Sequence, residues 1–134
     1  MGATRSRTPV TGLTFDAGAL IAIDRGDRRM IALLQEALRE RLALRVPAGV
    51  IGQAWGDGRR QATLARFFKT REVEVHGLDE QTARAAGELC GAAGTHDAID
   101  ATVILTARPT ADVVLTSDPD DLLQLDPKIR VARV

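Results

Sequence analysis

Hydrophobic residues recur along the chain with two different periods, which predict short strands separated by helices. Runs rich in β-branched and aliphatic residues predict strands at 10–15, 43–46, 73–76, 112–116 and 129–134. Apolar residues near helical spacing predict helices at 17–23, 27–42, 48–55, 59–70, 79–93, 97–107 and 119–123. Asp79 and Gly94 suit the N-cap and the residue after the last turn of the fifth helix. The alternation predicts an α/β domain with a mainly parallel sheet, because parallel strands need the crossovers that helices supply.

Length and composition are those of one globular domain. The chain has 134 residues, of which 45% are hydrophobic and 27% are charged, so we expect a single domain over 1–134. Residues 1–9 are a candidate for a disordered leader. Aromatic residues make up only 3% of the chain, which predicts a mainly aliphatic core.

Cysteine usage and hydropathy point to the cytoplasm. Cys90 is the only cysteine, so no internal disulfide can form and nothing indicates secretion. No apolar run approaches the roughly 20 residues that a membrane helix needs. We therefore expect a cytoplasmic protein with no membrane association.

The net charge is zero, but the two halves of the sequence differ strongly. Residues 1–71 hold 13 Lys and Arg against 6 Asp and Glu, whereas residues 72–134 hold 5 against 12. The first half could attract phosphates and the second could hold cations.

Aspartates stand where an α/β sheet forms its sites. Asp16 ends the first predicted strand and Asp118 follows the fourth, so both should emerge at the carboxyl edge of the sheet. Asp97 and Asp100, at the start of the helix over 97–107, share one helix face. We expect these four carboxylates to form one site, with Asp120 a weaker candidate.

Gathered carboxylates repel one another unless a cation neutralises them. Oxygen ligands suit Mg²⁺ or Mn²⁺, and the isolated His76, His96 and Cys90 have no zinc spacing. Such a metal would activate water for attack on a phosphodiester.

Each aspartate also has a purely structural interpretation. Asp16, Asp97 and Asp118 could each be a helix N-cap. Asp100 differs, because an Asp inside an apolar helix is unfavourable unless it faces solvent or a ligand.

Five stretches together resemble a known family, the PIN domains, and specifically the VapC-type toxins of bacterial toxin–antitoxin pairs. The matching stretches, in family order, are 13–20, 47–55, 58–62, 96–101 and 114–122. The resemblance implies a PIN-like three-layer α/β/α fold and Mg²⁺- or Mn²⁺-dependent endoribonuclease activity on RNA. It also implies a cognate antitoxin that neutralises the toxin, and it favours a homodimer.

The resemblance assigns roles to the candidate site residues. Asp16, Asp97 and Asp118 match the family's acidic positions. Gln53 stands where the family usually has Glu, and an amide cannot carry charge or act as a base. Asp100, where many relatives have Ala, could supply the missing carboxylate as an extra ligand or an outer group; a weakened metal site is the alternative.

Several other residues have two interpretations each. Thr116 and Ser117 could position a water or phosphate, or cap the next helix. A set of basic residues could contact RNA phosphates or form a solvated helix face: Arg59, Arg60, Arg66, Lys69 and Arg71. The aromatic residues Trp55, Phe67 and Phe68 suggest core or an oligomer contact.

Three function classes compete. The endoribonuclease toxin is preferred. A PIN-like module that binds RNA or a partner without catalysis is favoured only by Gln53. A receiver-like domain or a haloacid-dehalogenase-type phosphatase would need further acids after the first strand, where Gly18 stands instead.

Overall fold

The computed structural model describes residues 9–134, so the expected leader lies outside it except for the exposed Pro9. Five strands are formed: β1 (Gly12–Phe15), β2 (Ala43–Pro47), β3 (Val73–His76), β4 (Val113–Thr116) and β5 (Arg130–Arg133). Seven α-helices accompany them: α1 (Ala17–Asp24), α2 (Arg28–Arg39), α3 (Ala48–Ala54), α4 (Ala62–Phe68), α5 (Glu80–Ala93), α6 (Ala98–Ala107) and α7 (Pro119–Leu125).

The strands form one parallel sheet in the order β3-β2-β1-β4-β5. Helices α1 to α4 contact one another around β1 and β2, and α5 to α7 form a second group around α6. The result is three layers, α/β/α, as expected. The chain order reverses between β1 and β4, which is where an open parallel sheet forms a crevice at its carboxyl edge.

The helices begin where their N-caps predict. Asp27 accepts a hydrogen bond from Met30 N–H at 2.9 Å, and Asp79 accepts one from Thr82 N–H at 2.8 Å. Gly94 adopts the left-handed conformation (φ 73°) that ends α5.

One predicted helix is wrong as drawn. The segment 59–70 is a 3₁₀ turn over Gly58–Arg60 followed by α4, which begins only at Ala62. Gln61 separates the two with a non-helical backbone (φ −113°, ψ 43°), and its side chain bonds to backbone groups of the preceding turn. A buried side-chain contact therefore overrides local helix propensity.

The core is mainly aliphatic, as the composition predicts. Its largest fully buried side chains include Phe15, Leu20, Ile23, Met30 and Leu44. Phe67 is also buried, with its ring centroid 5.3 Å from that of Phe15. Trp55 departs from the core interpretation, because 38% of it is exposed.

A buried ionic network fastens the amino edge of the sheet. Asp112 is 1% exposed. Its carboxylate accepts hydrogen bonds from Arg45 Nη1 at 2.7 Å, Thr14 Oγ1 at 2.8 Å and Thr110 Oγ1 at 2.8 Å. These bonds join β1, β2 and the start of β4, so the network holds three strands in place.

We predict that Asp112→Ala lowers the free energy of unfolding by about 3–5 kcal/mol, because it removes the buried acceptor of Arg45 and of two threonine hydroxyls and leaves Arg45 only the half-exposed Glu74 as an ionic partner. Urea denaturation measures this. The matched control is Arg39→Ala, which removes an exposed ion pair with Glu36 and should cost under about 1 kcal/mol. Equal, small losses in both variants would contradict the assignment.

Candidate metal centre

Asp16 follows β1 directly and is fixed by its surroundings. It is 8% exposed. Its backbone N–H donates to Leu115 O at 3.2 Å, and its carboxylate accepts from Ala19 N–H at 2.9 Å, which caps α1. Burial raises the pKa of Asp16, while hydrogen bonds from the Thr116 hydroxyl and from the backbone N–H groups of Ala19, Ser117 and Gly18 oppose that rise.

Thr116 lies between Asp16 and Asp118, the last of the predicted ligands. Its hydroxyl bonds to the Asp16 carboxylate and accepts a hydrogen bond from Asp118 N–H at 2.9 Å. Thr116 is fully buried, so it does not meet a phosphate itself. Its role is to position the two acidic residues.

Gly18 allows the two loops to approach. A Cβ atom on Gly18 would lie 2.6 Å from Ser117 Cβ and 2.0 Å from Ser117 Oγ. The first turn of α1 therefore rests directly against the loop after β4. Any larger residue at this position would push the Asp16 and Asp118 loops apart.

Asp97 and Asp100 enter from the amino end of α6. This helix runs back along the sheet before β4, so its amino end lies at the carboxyl edge. Asp97 Oδ1 caps the helix by accepting from Asp100 N–H at 3.0 Å. The side chain of Asp97 is exposed, whereas Asp100 is half-buried.

Asp118 stands at the N-cap position of α7 but its side chain makes no capping hydrogen bond. It is exposed, and its carboxyl group is near enough to that of Asp121 to raise the pKa of Asp121, by hydrogen bonding and by charge repulsion. Asp121 is therefore a fifth member that the sequence-based prediction left out. Its position three residues after Asp118, on the first turn of a helix, was the available signal.

Five aspartates form what we call the acidic cluster: Asp16, Asp97, Asp100, Asp118 and Asp121. The effect of their charges is strongest on Asp100. The pKa of Asp100 is raised to about 7, first by burial and then by the charges of Asp97, Asp121, Asp16 and Asp118. The charges of Asp16, Asp97 and Asp118 therefore act on Asp100, the fourth aspartate that the sequence predicts for the site. Asp120 is exposed and acts only on Asp121, as the weakest influence.

The donor chemistry of the acidic cluster suits a hard divalent cation. Among residues 9–134, no three or more His, Cys, Asp or Glu side chains lie close enough together to hold a metal ion between them. Mg²⁺ needs less than that, since it keeps several waters and binds through one or two carboxylates. Beyond the effect of burial, repulsion from the neighbouring carboxylates raises the pKa of Asp100. A bound cation would relieve that repulsion.

Gln53 lies on the last turn of α3 and is exposed. Gly49, one turn earlier on the same side, faces α6 so closely that a Cβ atom there would lie 2.6 Å from Ile99 Cδ1. Ile99 sits between Asp97 and Asp100 in sequence. Gln53 thus lies on the side of α3 that faces α6, but its amide makes no hydrogen bond within residues 9–134.

The remaining candidates are placed as follows. Arg59, Arg60, Arg66, Lys69 and Arg71 are all exposed. His96 is exposed in the loop before α6, and Cys90 is buried. Burial, with Asp97 and Asp100 nearby, raises the pKa of the Cys90 thiol, which keeps it in its unreactive form.

Comparisons with known proteins identify the fold. No family model and no curated protein matches this chain. VapBC2 from Rickettsia felis, in a structure bound to a DNA fragment from its promoter, has a chain that superposes with a TM-score of 0.66 at 12% identity. The match covers 91% of this chain and 98% of that one.

Two further structures agree. FitAB bound to the IR36 DNA fragment gives a TM-score of 0.62 at 15% identity, over 90% of this chain and 94% of that one. FitAcB from Neisseria gonorrhoeae gives 0.58 at 16% identity, over 89% and 95%. At such identities the likeness is one of fold, and the PIN-like fold that the sequence resemblance implies is confirmed.

The raised pKa of Asp100 predicts an unusual pH dependence for the metal-free protein. The folded state holds a proton that the unfolded state releases, so stability falls as the pH rises from about 4 to about 7. We expect the melting temperature in EDTA to drop over the part of this range above about pH 5, and Asp100→Asn to flatten the drop. Thermal melts followed by circular dichroism measure both.

Asp79→Asn is the matched control, because Asp79 is an exposed N-cap outside the acidic cluster. It should keep the pH dependence of the wild type. Identical curves for the wild type and Asp100→Asn would contradict the placement of Asp100 among the other carboxylates.

Proposed function

We propose that this chain is a metal-dependent endoribonuclease toxin, of the VapC type, that a cognate antitoxin neutralises. The observation that carries the proposal is the convergence of four other carboxylates on Asp100 at the crevice between β1 and β4. The fold supports it, since structures of the toxin–antitoxin complexes VapBC2 and FitAB share it. Mg²⁺ or Mn²⁺ is the proposed cofactor.

Asp16, Asp97 and Asp118 are the proposed ligands. Asp16 is held rigidly by its hydrogen bonds, whereas Asp97 and Asp118 present exposed carboxylates. A divalent cation bound there supplies Lewis acidity to a phosphodiester and lowers the pKa of a bound water. Thr116 and Gly18 hold the Asp16 and Asp118 loops at the spacing that the site requires.

Asp100 is proposed to compensate for Gln53. A bound cation offsets the charges that raise the pKa of Asp100 in the metal-free protein, and the resulting Asp100 carboxylate can accept a proton. It can therefore take the proton of an attacking water, which the Gln53 amide cannot. Asp100 and Gln53 lie on the facing helices α6 and α3.

The second candidate is a PIN-like module that binds RNA or a protein partner without cleaving. The uncharged Gln53 in place of the family's Glu favours it. The five carboxylates of the acidic cluster weigh against it, because gathered charges are costly without a cation.

We also propose an antitoxin partner, a homodimer and a cytoplasmic location. The antitoxin rests on the neighbours, whose structures are of antitoxin-bound complexes. The homodimer and the cytoplasm rest on the sequence. Within residues 9–134, no helix combines the length and the apolar character that a membrane crossing requires.

Cleavage of a pooled structured RNA tests the proposal. We expect fragments with Mg²⁺ or Mn²⁺ and none with EDTA. Asp16→Asn and Asp97→Asn should each reduce cleavage at least about 100-fold while leaving the melting temperature close to that of the wild type. Asn keeps the N-cap that both aspartates provide but removes the ligand charge.

Asp79→Asn is the matched control for this assay, since it makes the same change at an N-cap outside the acidic cluster. It should cleave normally. Full activity in Asp97→Asn would overturn the site. No cleavage by the wild type with either metal, together with RNA binding, would favour the binding-module candidate.

Gln53→Glu tests the compensation separately. If Gln53 borders the metal, an added carboxylate there should strengthen Mn²⁺ binding, by about threefold or more in calorimetric titration. Gln35→Glu, an exposed change on α2, controls for net charge. Equal affinities in the wild type and Gln53→Glu would place Gln53 outside the site.

A further inference from the structure

The chain's only tryptophan stands on the surface, in a turn that the acidic cluster does not use. The 55–60 turn, meaning residues 55–60 between α3 and α4, begins with Trp55 and ends with Arg59 and Arg60. Trp55 is 38% exposed. This partial exposure, in a turn that also holds two arginines, requires an explanation, because tryptophan is highly buried on average.

The turn is rigid. Gln61 is buried, and its Oε1 accepts from Gly56 N–H at 2.8 Å while its Nε2 donates to Ala54 O at 2.9 Å. A Cβ atom on Gly58 would lie 3.0 Å from Trp55 Cζ2, and the Phe68 ring centroid lies 6.3 Å from that of Trp55. These contacts hold the indole in place while 38% of Trp55 remains exposed, so part of the ring is available to a planar partner.

Two arginines stand in the same turn as the indole. The side chains of Arg59 and Arg60 are 96% and 88% exposed, and each forms an ion pair with Asp57, at 3.8 and 3.6 Å. Residues 55–71 hold five basic residues and one acidic residue. A polyanion would be attracted to this surface.

The turn is also within reach of the acidic cluster. Helix α3 begins after Pro47, at the carboxyl edge of β2, and has seven residues. Its length is therefore about 10 Å. A bound strand could contact the 55–60 turn and continue to the carboxyl edge of the sheet.

We propose that the 55–60 turn is a docking element for single-stranded RNA, in which a base stacks on Trp55 while Arg59 and Arg60 contact the adjoining phosphates; this rests on the proposed function. Aromatic stacking is the way in which proteins hold unpaired bases without reading their sequence. A two-fold contact between copies of this chain would instead bring the arginines of one copy against those of the other, because such contacts use the same patch twice.

Binding is measured in EDTA, so that no RNA is cut. The probe is a fluorescein-labelled, unstructured oligoribonucleotide of mixed sequence, followed by anisotropy. The unlabelled oligonucleotide is titrated in parallel against the intrinsic fluorescence of the wild type, which reports Trp55 alone because the chain has no second tryptophan. We expect saturable quenching at the same concentrations that change the anisotropy.

The variants separate stacking from charge. Trp55→Ala should weaken binding about 10- to 100-fold, and Trp55→Phe should restore most of the affinity. Arg59→Gln and Arg60→Gln should each lower the slope of log affinity against log salt by about 0.7. Arg84→Gln, at an exposed arginine on α5, should leave both unchanged. Duplex RNA should bind the wild type and Trp55→Ala alike, because its bases are already stacked.

Three results would overturn the proposal: wild-type affinity in a folded Trp55→Ala, equal losses in the Ala and Phe variants, or binding without quenching. A change of Trp55→Ala from dimer to monomer with unchanged RNA binding would mark an oligomer contact instead. RNA cleavage that needs Asp16 but not Trp55 would leave the proposed function standing and remove this inference. Quenching and binding without cleavage by the wild type would do the reverse.

Discussion

The buried Thr116 hydroxyl is the group on which the candidate site depends. It accepts a hydrogen bond from Asp118 N–H at 2.9 Å and also lowers the pKa of Asp16, so one buried side chain acts on two loops that come from different strands. The parallel pairing of β1 with β4 and the contact of Gly18 with Ser117 bring these loops together. Without that geometry, the acidic residues would be separate helix caps, and no region of concentrated negative charge would form.

Buried carboxylates have different surroundings at the two edges of the sheet. At the amino edge, the Asp112 charge is neutralised by Arg45 and its oxygens accept hydrogen bonds from two threonine hydroxyls, so its burial is compensated within the protein. At the carboxyl edge, burial raises the pKa of Asp100 and the charges of the neighbouring aspartates raise it further. The first arrangement stabilises the fold, whereas the second is costly unless an external cation completes it. This contrast explains why the candidate site belongs at the carboxyl edge.

Much of the architecture could be predicted from local sequence. The strands and most helices follow from periodicity, and Asp27, Asp79 and Gly94 mark helix ends because their side chains or backbone satisfy nearby groups. The prediction over 59–70 failed at Gln61, whose partners lie in the preceding turn and beyond. Asp112 drew no attention, because its partners Thr14 and Arg45 are remote in sequence. The exposure of Trp55 could not be predicted, since its aromatic side chain suggested a place in the core or in an oligomer contact.

The sequence by itself determined the order of strands and helices, the parallel sheet and the aspartates at its carboxyl edge, because each is encoded within one or two turns of chain. Only the tertiary structure decided that Asp100 lies among four other carboxylates, that Asp121 joins them, and that Thr116 bridges Asp16 and Asp118. Asp16 and Asp118 are far apart in the sequence, and their proximity arises from strand pairing. The pKa of Asp100 depends on distances and burial, which periodicity does not specify.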